Sequence, residues 1–276
     1  MIIDAFTFFN EKELVQLRIK YLNDVVDNFV IVEGNFTHTG KEKNWNFEDI
    51  LSNELKDFSH KIKYHKMQID LEKADREKSP NYIDKKNGRS WKVENMQRNY
   101  IKQACEEFLP DDIIIISDVD EIPSKEKISF IKSSDFKIIA PVSFDQALFH
   151  LNCKYLSLEQ WVGSVVVTKE LIDKYEPQVF RAYKDRISRF KDSGWSFSSF
   201  GGISRIKVKF EAFAHQEYNK NEYINEEHLK KSAELGTDIF YRDVKKKKID
   251  KNFFPKDLLK LMEENPEFYF GSKATL

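Results

Sequence analysis

The sequence predicts an α/β fold with a mostly parallel central sheet flanked by helices. Three observations predict it. A βαβ pattern opens the chain, its strands are continuously apolar, and a long amphipathic helix leads into an all-aliphatic strand, Ile113 to Ile116. Strands apolar on both faces belong in sheets covered by helices on both sides. A chain of 276 residues suffices for one large core, or one core with a smaller appendage.

Ile2 to Phe9, rich in β-branched and aromatic residues, reads as a buried strand. Glu13 to Leu22 follows with Leu14, Leu17 and Tyr21 at helical spacing, and Asp27 to Glu33 is a second buried strand ending in an acid. Gly34 to Asn46 is a polar loop and Lys61 to Met67 a third strand. Asp70 to Ser90 is charged, carries Pro80 and Gly88, and reads as a surface loop. Trp91 to Phe108 presents an apolar face of Val93, Met96, Tyr100, Ile101, Ala104 and Phe108, and is expected to be helical until Pro110. Beyond the strand Ile113 to Ile116, strands are expected at Phe136 to Val142, Gln146 to Asn152 and Val165 to Thr168. Gly194 to Gly202 reads as a loop, Ile203 to Phe213 and Asn221 to Leu235 as helices, and Lys245 to Lys248 as a solvated turn. One catalytic domain is expected over 1–276, with a nucleotide-binding half (1–123), an acceptor-side half (124–220) and a C-terminal helical extension (221–276).

Composition narrows the function classes. Forty-five basic against 46 acidic residues leave almost no net charge, which argues against bulk binding of nucleic acid. Cys105 and Cys153 form neither a disulfide framework nor a CxxC metal pattern and read as reduced, partly buried thiols. The longest aliphatic run falls far short of the ~20 residues of a membrane helix, so no membrane span and a cytoplasmic location are expected.

The chemistry gathers at Ser117-Asp118-Val119-Asp120-Glu121, directly after the aliphatic strand. Ligands of open α/β sheets bind outside the carboxyl ends of the strands. Asp118 and Asp120, two apart in extended backbone, share a face, and a hard divalent cation, Mn²⁺ or Mg²⁺, stabilises two adjacent carboxylates as charged groups. Such a cation also bridges diphosphate oxygens. An acidic turn that merely ends a strand is the bland alternative. A haloacid-dehalogenase-type phosphatase, with Asp118 as nucleophile, is a second; its motif usually lies near the N-terminus, whereas a βαβ unit precedes this one. A non-catalytic sugar-binding protein on the same fold is a third.

Several blocks together resemble glycosyltransferase family 17. They are Ile3 to Glu11, Val25 to Glu33, Asn35-Phe36-Thr37 with Thr39-Gly40-Lys41, Glu94-Asn95 with Gln97-Arg98-Asn99, and Asp111 to Pro123. Asp192 to Phe197, Phe200-Gly201-Gly202 and Ala212 to Glu217 complete the set. The resemblance implies a GT-A-type nucleotide-sugar-binding fold, a UDP-sugar donor, a saccharide or glycan acceptor and transfer with inversion, N-acetylglucosamine being the sugar suggested. Two features depart from the family: animal members carry a membrane anchor and a longer luminal domain, and the family pattern has His where this chain has Ser196.

Roles follow as expectations. Asp118 and Asp120 are the metal ligands, with His215 as a third ligand drawn from late in the chain. Asp4 and Phe8 in the first block, with Glu33, Arg98, Asn99 and Asp118, are assigned to the donor. Glu33 ends a strand where nucleotide-binding folds place an acid on the ribose or base. Arg98 either pairs with phosphates or forms a helical ion pair with Glu94. A general base must take the acceptor hydroxyl's proton, and Asp192 and Glu217 are the candidates.

Overall fold

The computed structural model describes residues 1–76, 88–136 and 139–271. Its first half contains β1 (Ile2–Phe8), α1 (Lys12–Leu22), β2 (Asn28–Gly34), α2 (Phe47–Ser52), β3 (Ile62–Met67), α3 (Leu71–Arg76), α4 (Arg89–Ala104), β4 (Ile113–Asp118), β5 (Glu121–Pro123) and α5 (Lys125–Ser133). There follow β6 (Val142–His150), β7 (Tyr155–Ser157), β8 (Trp161–Thr168), α6 (Lys169–Lys174), α7 (Pro177–Ala182), β9 (Ser188–Phe190) and β10 (Gly194–Ser198). The chain ends with α8 (Gly202–Ala212), α9 (Asn221–Ile224), α10 (Glu226–Leu235), β11 (Lys246–Lys248), α11 (Lys256–Met262) and α12 (Pro266–Phe270).

The α/β class stands as expected, with one sheet sandwiched between helices. Strands β3, β2, β1 and β4 lie side by side and parallel, and β8 then joins β4 antiparallel, pairing Ile113 with Thr168. The run of parallel neighbours is interrupted at β4: β8 and the long β6 continue antiparallel, and β6 in turn takes β9 and β10 as parallel partners. The period of two is visible in the packing. Phe6, Phe8, Phe29, Ile31 and Ile115 join the cluster under α1, α2 and the C-terminal helices, whereas Ile3, Ala5, Val30, Val32, Ile114 and Ile116 face α4 with Val93, Met96 and Ile101. Burying each large apolar side chain is worth about 1.5–3 kcal/mol.

Several expected elements come out differently. The stretch read as a loop from Asp70 contains α3; 77–87 lie outside the described residues. Of the expected strand Phe136 to Val142, 137 and 138 lie outside the described residues and only Val142 belongs to a strand among the rest; the expected strand Gln146 to Asn152 is the latter part of β6, which starts at Val142 and shifts register between Ser143 and Asp145. Gly194 to Gly202 is not all loop: Gly194–Ser198 forms β10, with Trp195 and Phe197 packed in the aromatic core and the serines on the other face. Gly194 sits at φ +139, and a Cβ there would lie 2.2 Å from the Ile122 carbonyl oxygen, so glycine is what allows β10 to close on β5. The lysine run is an edge strand, β11, whose charges suit an open sheet edge. Asn225 breaks the expected helix from Asn221 to Leu235, its side chain accepting from the His228 N–H to cap α10. Among the described residues no helix is long and apolar enough to cross a membrane. Cys105 and Cys153 are unbridged and buried, and burial pushes the Cys105 thiol up to about 12.

One charged side chain lies in the middle of the first layer. Arg18, on the buried face of α1, has no exposed surface and reaches Asp4 on β1 through two bonds, Nε to Oδ2 at 2.7 Å and Nη2 to Oδ1 at 2.6 Å. Its Nη1 donates to the backbone carbonyls of Asp118 (3.0 Å), Val119 (3.3 Å) and Glu121 (2.6 Å), and Nη2 reaches the Ser117 hydroxyl. The Phe6 ring lies 4.5 Å from the guanidinium carbon. Removing one partner of a buried ion pair leaves an uncompensated charge. Arg18→Ala is therefore expected to lower the unfolding free energy by about 3–5 kcal/mol in urea denaturation. A loss within the range of an ordinary surface change would show that the pair does not hold the fold.

Candidate active site

The parallel strands β1 and β4 are in register through Thr7 and Asp118, so the acidic turn emerges at the carboxyl edge of the sheet. β5 and β10 then hold it from the far side, with Ser196 opposite Glu121 and the Phe197 N–H donating to the Asp120 carbonyl. Arg18 ties the turn from beneath. Because its backbone is held from several sides, the points from which the acidic side chains leave it are fixed.

Bases from four helical segments surround these acids. Arg98, on α4, donates through Nη2 to Asp118 Oδ1 at 2.8 Å and to Glu94 Oε1 at 2.8 Å. Arg181, on α7, donates through Nη2 to Asp118 Oδ2 and Glu121 Oε1, both at 3.0 Å. Lys184 stands 4.0 Å from Glu121 and 4.8 Å from the Trp161 ring centroid. Lys209, on α8, donates to Asp120 Oδ2 at 3.1 Å. Burial alone would raise the Asp118 carboxyl, but the guanidinium charges of Arg98 and Arg181 override it and hold the group far below the usual range. Asp120 goes the other way: burial, with repulsion from Asp118 and Glu121, outweighs Lys209 and pushes it up to about 6. Lys184 is pushed down to about 8 by burial and by Arg181 beside it.

The expected site residues separate into those that face this cradle and those that support it. Asp118 and Asp120 both face the cradle, with side chains 37% and 14% exposed. Arg98 makes both the Glu94 pair and a bond to Asp118 itself. Asn99 acts one step back, its Oδ1 accepting the Gln178 N–H at 2.9 Å and so placing the start of α7, which carries Arg181. Asp4 and Phe8 are corrections: Asp4 is fully buried against Arg18, and Phe8 packs edge-on against Phe47 in the core, so neither meets a ligand. Glu33 is another. Its carboxylate is buried and accepts from Lys43, from the N–H groups of Asn46 (2.8 Å) and Phe47 (3.1 Å), and from the Tyr64 hydroxyl (2.7 Å). It caps α2 and has no oxygen turned to the site.

His215 is not gathered with the acids. Its Nδ1 lies 2.7 Å from Glu217 Oε1 and its ring packs edge-on against Trp91 at 4.5 Å. Among the described residues no three His, Cys, Asp or Glu side chains converge as a metal cage. The acids nonetheless fit a hard divalent ion. Asp120 Oδ1 makes no hydrogen bond among the described residues, and ions of the Mg²⁺ type are commonly held by one or two carboxylates plus phosphate and water. Asp192 makes no side-chain hydrogen bond or ion pair with the acidic turn among the described residues. It is exposed in the turn that precedes β10, at φ +52, five residues before the Phe197 whose N–H meets the Asp120 carbonyl. Glu217 lies with His215 on the rim formed by Trp91 and α8. Arg18, Arg181, Lys184 and Lys209 carried no signal in the sequence beyond being single charges among many.

The raised Asp120 pKa has a definite sign. The folded, metal-free protein holds the Asp120 proton more tightly than the unfolded chain, so this stabilisation is present below about pH 4 and lost as pH rises through about 6. Asp120→Asn keeps the neutral form at every pH. In chelator, its melting temperature is expected to exceed that of the wild type increasingly from pH 4 to 6 and by a constant margin above. A variant less stable than wild type at pH 8 would show that the Lys209 pair outweighs burial.

A glycosyltransferase family 17 model matches residues 1–268. Among curated proteins, the β-1,4-mannosyl-glycoprotein 4-β-N-acetylglucosaminyltransferases of Rattus norvegicus and Homo sapiens are each 29% identical over 143 residues, 49% of this chain and 24% of the relative. The matched stretch thus spans about a quarter of those proteins. Solved structures are similar only remotely. The galactosyltransferase LgtC, in complex with donor and acceptor sugar analogs, has a TM-score of 0.37 at 10% identity, covering 78% of this chain and 80% of that one. The 4-diphosphocytidyl-2C-methyl-D-erythritol synthase of Anaerococcus prevotii has a TM-score of 0.41 at 11% identity, covering 80% and 96%. The match over nearly the whole length assigns the family: this chain belongs to glycosyltransferase family 17.

Proposed function

We propose that the protein transfers a sugar, N-acetylglucosamine in the first instance, from a UDP-sugar to a saccharide hydroxyl, with inversion and with help from a divalent cation. The observation that carries this reading is the acidic turn at the carboxyl edge of β4, flanked by Arg98, Arg181, Lys184 and Lys209. The acids suit a cation and the bases suit a diphosphate, and the two kinds of charge nearly balance before either arrives. Family membership and the N-acetylglucosaminyltransferase activity of the mammalian relatives support the choice of sugar.

The residues have distinct tasks in this mechanism. Asp118, fixed through both oxygens by arginines, has little freedom and serves to orient. Asp120, with one free oxygen and a single lysine, is the carboxylate able to change partners. Asp120, with Asp118 beside it, would hold a Mn²⁺ or Mg²⁺, whose chemistry there would be Lewis-acid neutralisation of charge on the diphosphate. Lys209, released when Asp120 takes another partner, is placed to donate to phosphate oxygens. Glu217, paired with His215, is the remaining acid of the two named as base, and it accepts the acceptor hydroxyl's proton. A phosphatase with Asp118 as nucleophile requires that carboxylate to be free, whereas two guanidiniums hold it.

With Mn²⁺ present, a UDP-sugar at ~100 Kd is expected to add ~2.7 kcal/mol of stability in thermal unfolding, and Asp120→Ala to abolish donor turnover. Lys209→Ala should weaken UDP about 10-fold or more while changing UMP little, as the loss of one charge-assisted bond implies. Equal weakening of UDP and UMP would remove Lys209 from the phosphate site, and a shift with no nucleotide would remove the proposal.

A further inference from the structure

His150 ends β6, and both of its ring nitrogens are buried with no hydrogen-bond partner among the described residues. A neutral imidazole offers one donor and one acceptor, and leaving both unmade is costly. Protonating the ring does not solve this. Burial, with Lys246, Arg242 and Lys209 nearby against Asp238 alone, pushes His150 down to about 3. The ring therefore stays neutral, which suits an uncharged, hydroxyl-rich ligand better than an anion, and makes it a poor proton acceptor.

Its position gives the unmade bonds a meaning. β5, β10 and β6 are consecutive strands: Phe197 bonds the Asp120 carbonyl on one side and stands opposite Phe149 on the other, with Ser198 opposite His150. The backbones at Asp120 and His150 are thus about 10 Å apart across two strand spacings. Phe149 and Phe197 point into the aromatic core, so His150 and Ser198 point out of the opposite face. Ser198 also makes no side-chain hydrogen bond among the described residues. Lys209 connects the two places, being bonded to Asp120 and close enough to His150 for its charge to act there.

We propose that His150, with Ser198 beside it, forms the floor of a pyranose subsite next to Asp120, taking two sugar hydroxyls through its ring nitrogens. The subsite rests on the sugar-nucleotide reading above. When Asp120 changes partner, Lys209 moves off and the histidine comes within reach of the sugar. The pyranose is either the donor's own or the acceptor's, and both offer the same hydroxyl chemistry.

The test compares wild type with His150→Leu and His150→Gln by calorimetric titration in Mn²⁺, using UDP, UDP-N-acetylglucosamine, and methyl β-mannoside added to the UDP-loaded protein. His150→Leu should bind UDP as wild type does and lose about 10-fold for one of the sugar ligands, the size expected for two neutral hydrogen bonds. Loss for UDP-N-acetylglucosamine makes it the donor's subsite, and loss for the glycoside the acceptor's. His150→Gln, which keeps a donor and an acceptor, should recover most of the affinity. Equal behaviour of wild type and His150→Leu toward both sugars overturns the subsite while leaving the donor reading intact. A wild type that binds no uridine nucleotide overturns that reading, and the subsite with it.

Discussion

The Arg18–Asp4 pair is the contact on which the remainder of the site depends. A guanidinium without solvent is tolerable only when its charge is met and its donors are filled, and here Asp4 supplies the charge while Ser117 and the turn carbonyls fill the donors. The consequence reaches beyond stability. The acidic turn cannot relax away from its own negative charges, because its carbonyls are bonded to a cation that is itself locked to β1. A turn carrying three acids within four residues would otherwise open toward water. Fixed in this way, the turn presents Asp118 and Asp120 from a backbone that is already in place, as an electrostatic site requires.

Above the turn the same problem is solved a second time with different partners. Asp118 and Glu121 share Arg181, Asp118 also holds Arg98, and Asp120 has Lys209. The unequal pairing produces unequal acids: two arginines keep Asp118 ionised, whereas burial and its neighbours make ionised Asp120 costly. One carboxylate is thereby a fixture and the other an exchangeable partner. Because bases and acids are nearly matched, a cation alone or a phosphate alone would unbalance the cluster, and the two together would not.

The sheet explains why these groups meet. Four parallel strands bring the ends of β1 and β4 to one edge, and the change to antiparallel pairing at β8 ends the run of crossovers just where the acidic turn leaves the sheet. β10 then inserts between β5 and β6, made possible by Gly194, and carries the chain from late in the sequence back to Asp120. Through this strand the wall bearing His150 and the helix bearing Lys209 become neighbours of a turn formed from residues near 120.

What the sequence determined by itself was the class of fold and the place of the acids. Continuous apolar strands and a helix of period 3.6 are local patterns, so β1, β2, α4 and β4 are legible residue by residue, and an acidic pair at the end of such a strand lies at the sheet edge. β10 was hidden because its outward positions are Ser196 and Ser198, which look like loop residues until Trp195 and Phe197 are seen to share one face. Only the tertiary structure decided the rest. Phe8 and Glu33 lie at the carboxyl ends of β1 and β2 and Asp4 lies within β1, yet each is satisfied internally, and nothing local distinguishes a buried, paired acid from an open one. Arg18, Arg181 and Lys209 are far from Asp118 in sequence and carry no pattern. Their roles arise from long-range contacts, and a charge acquires its meaning only from the charges folded against it.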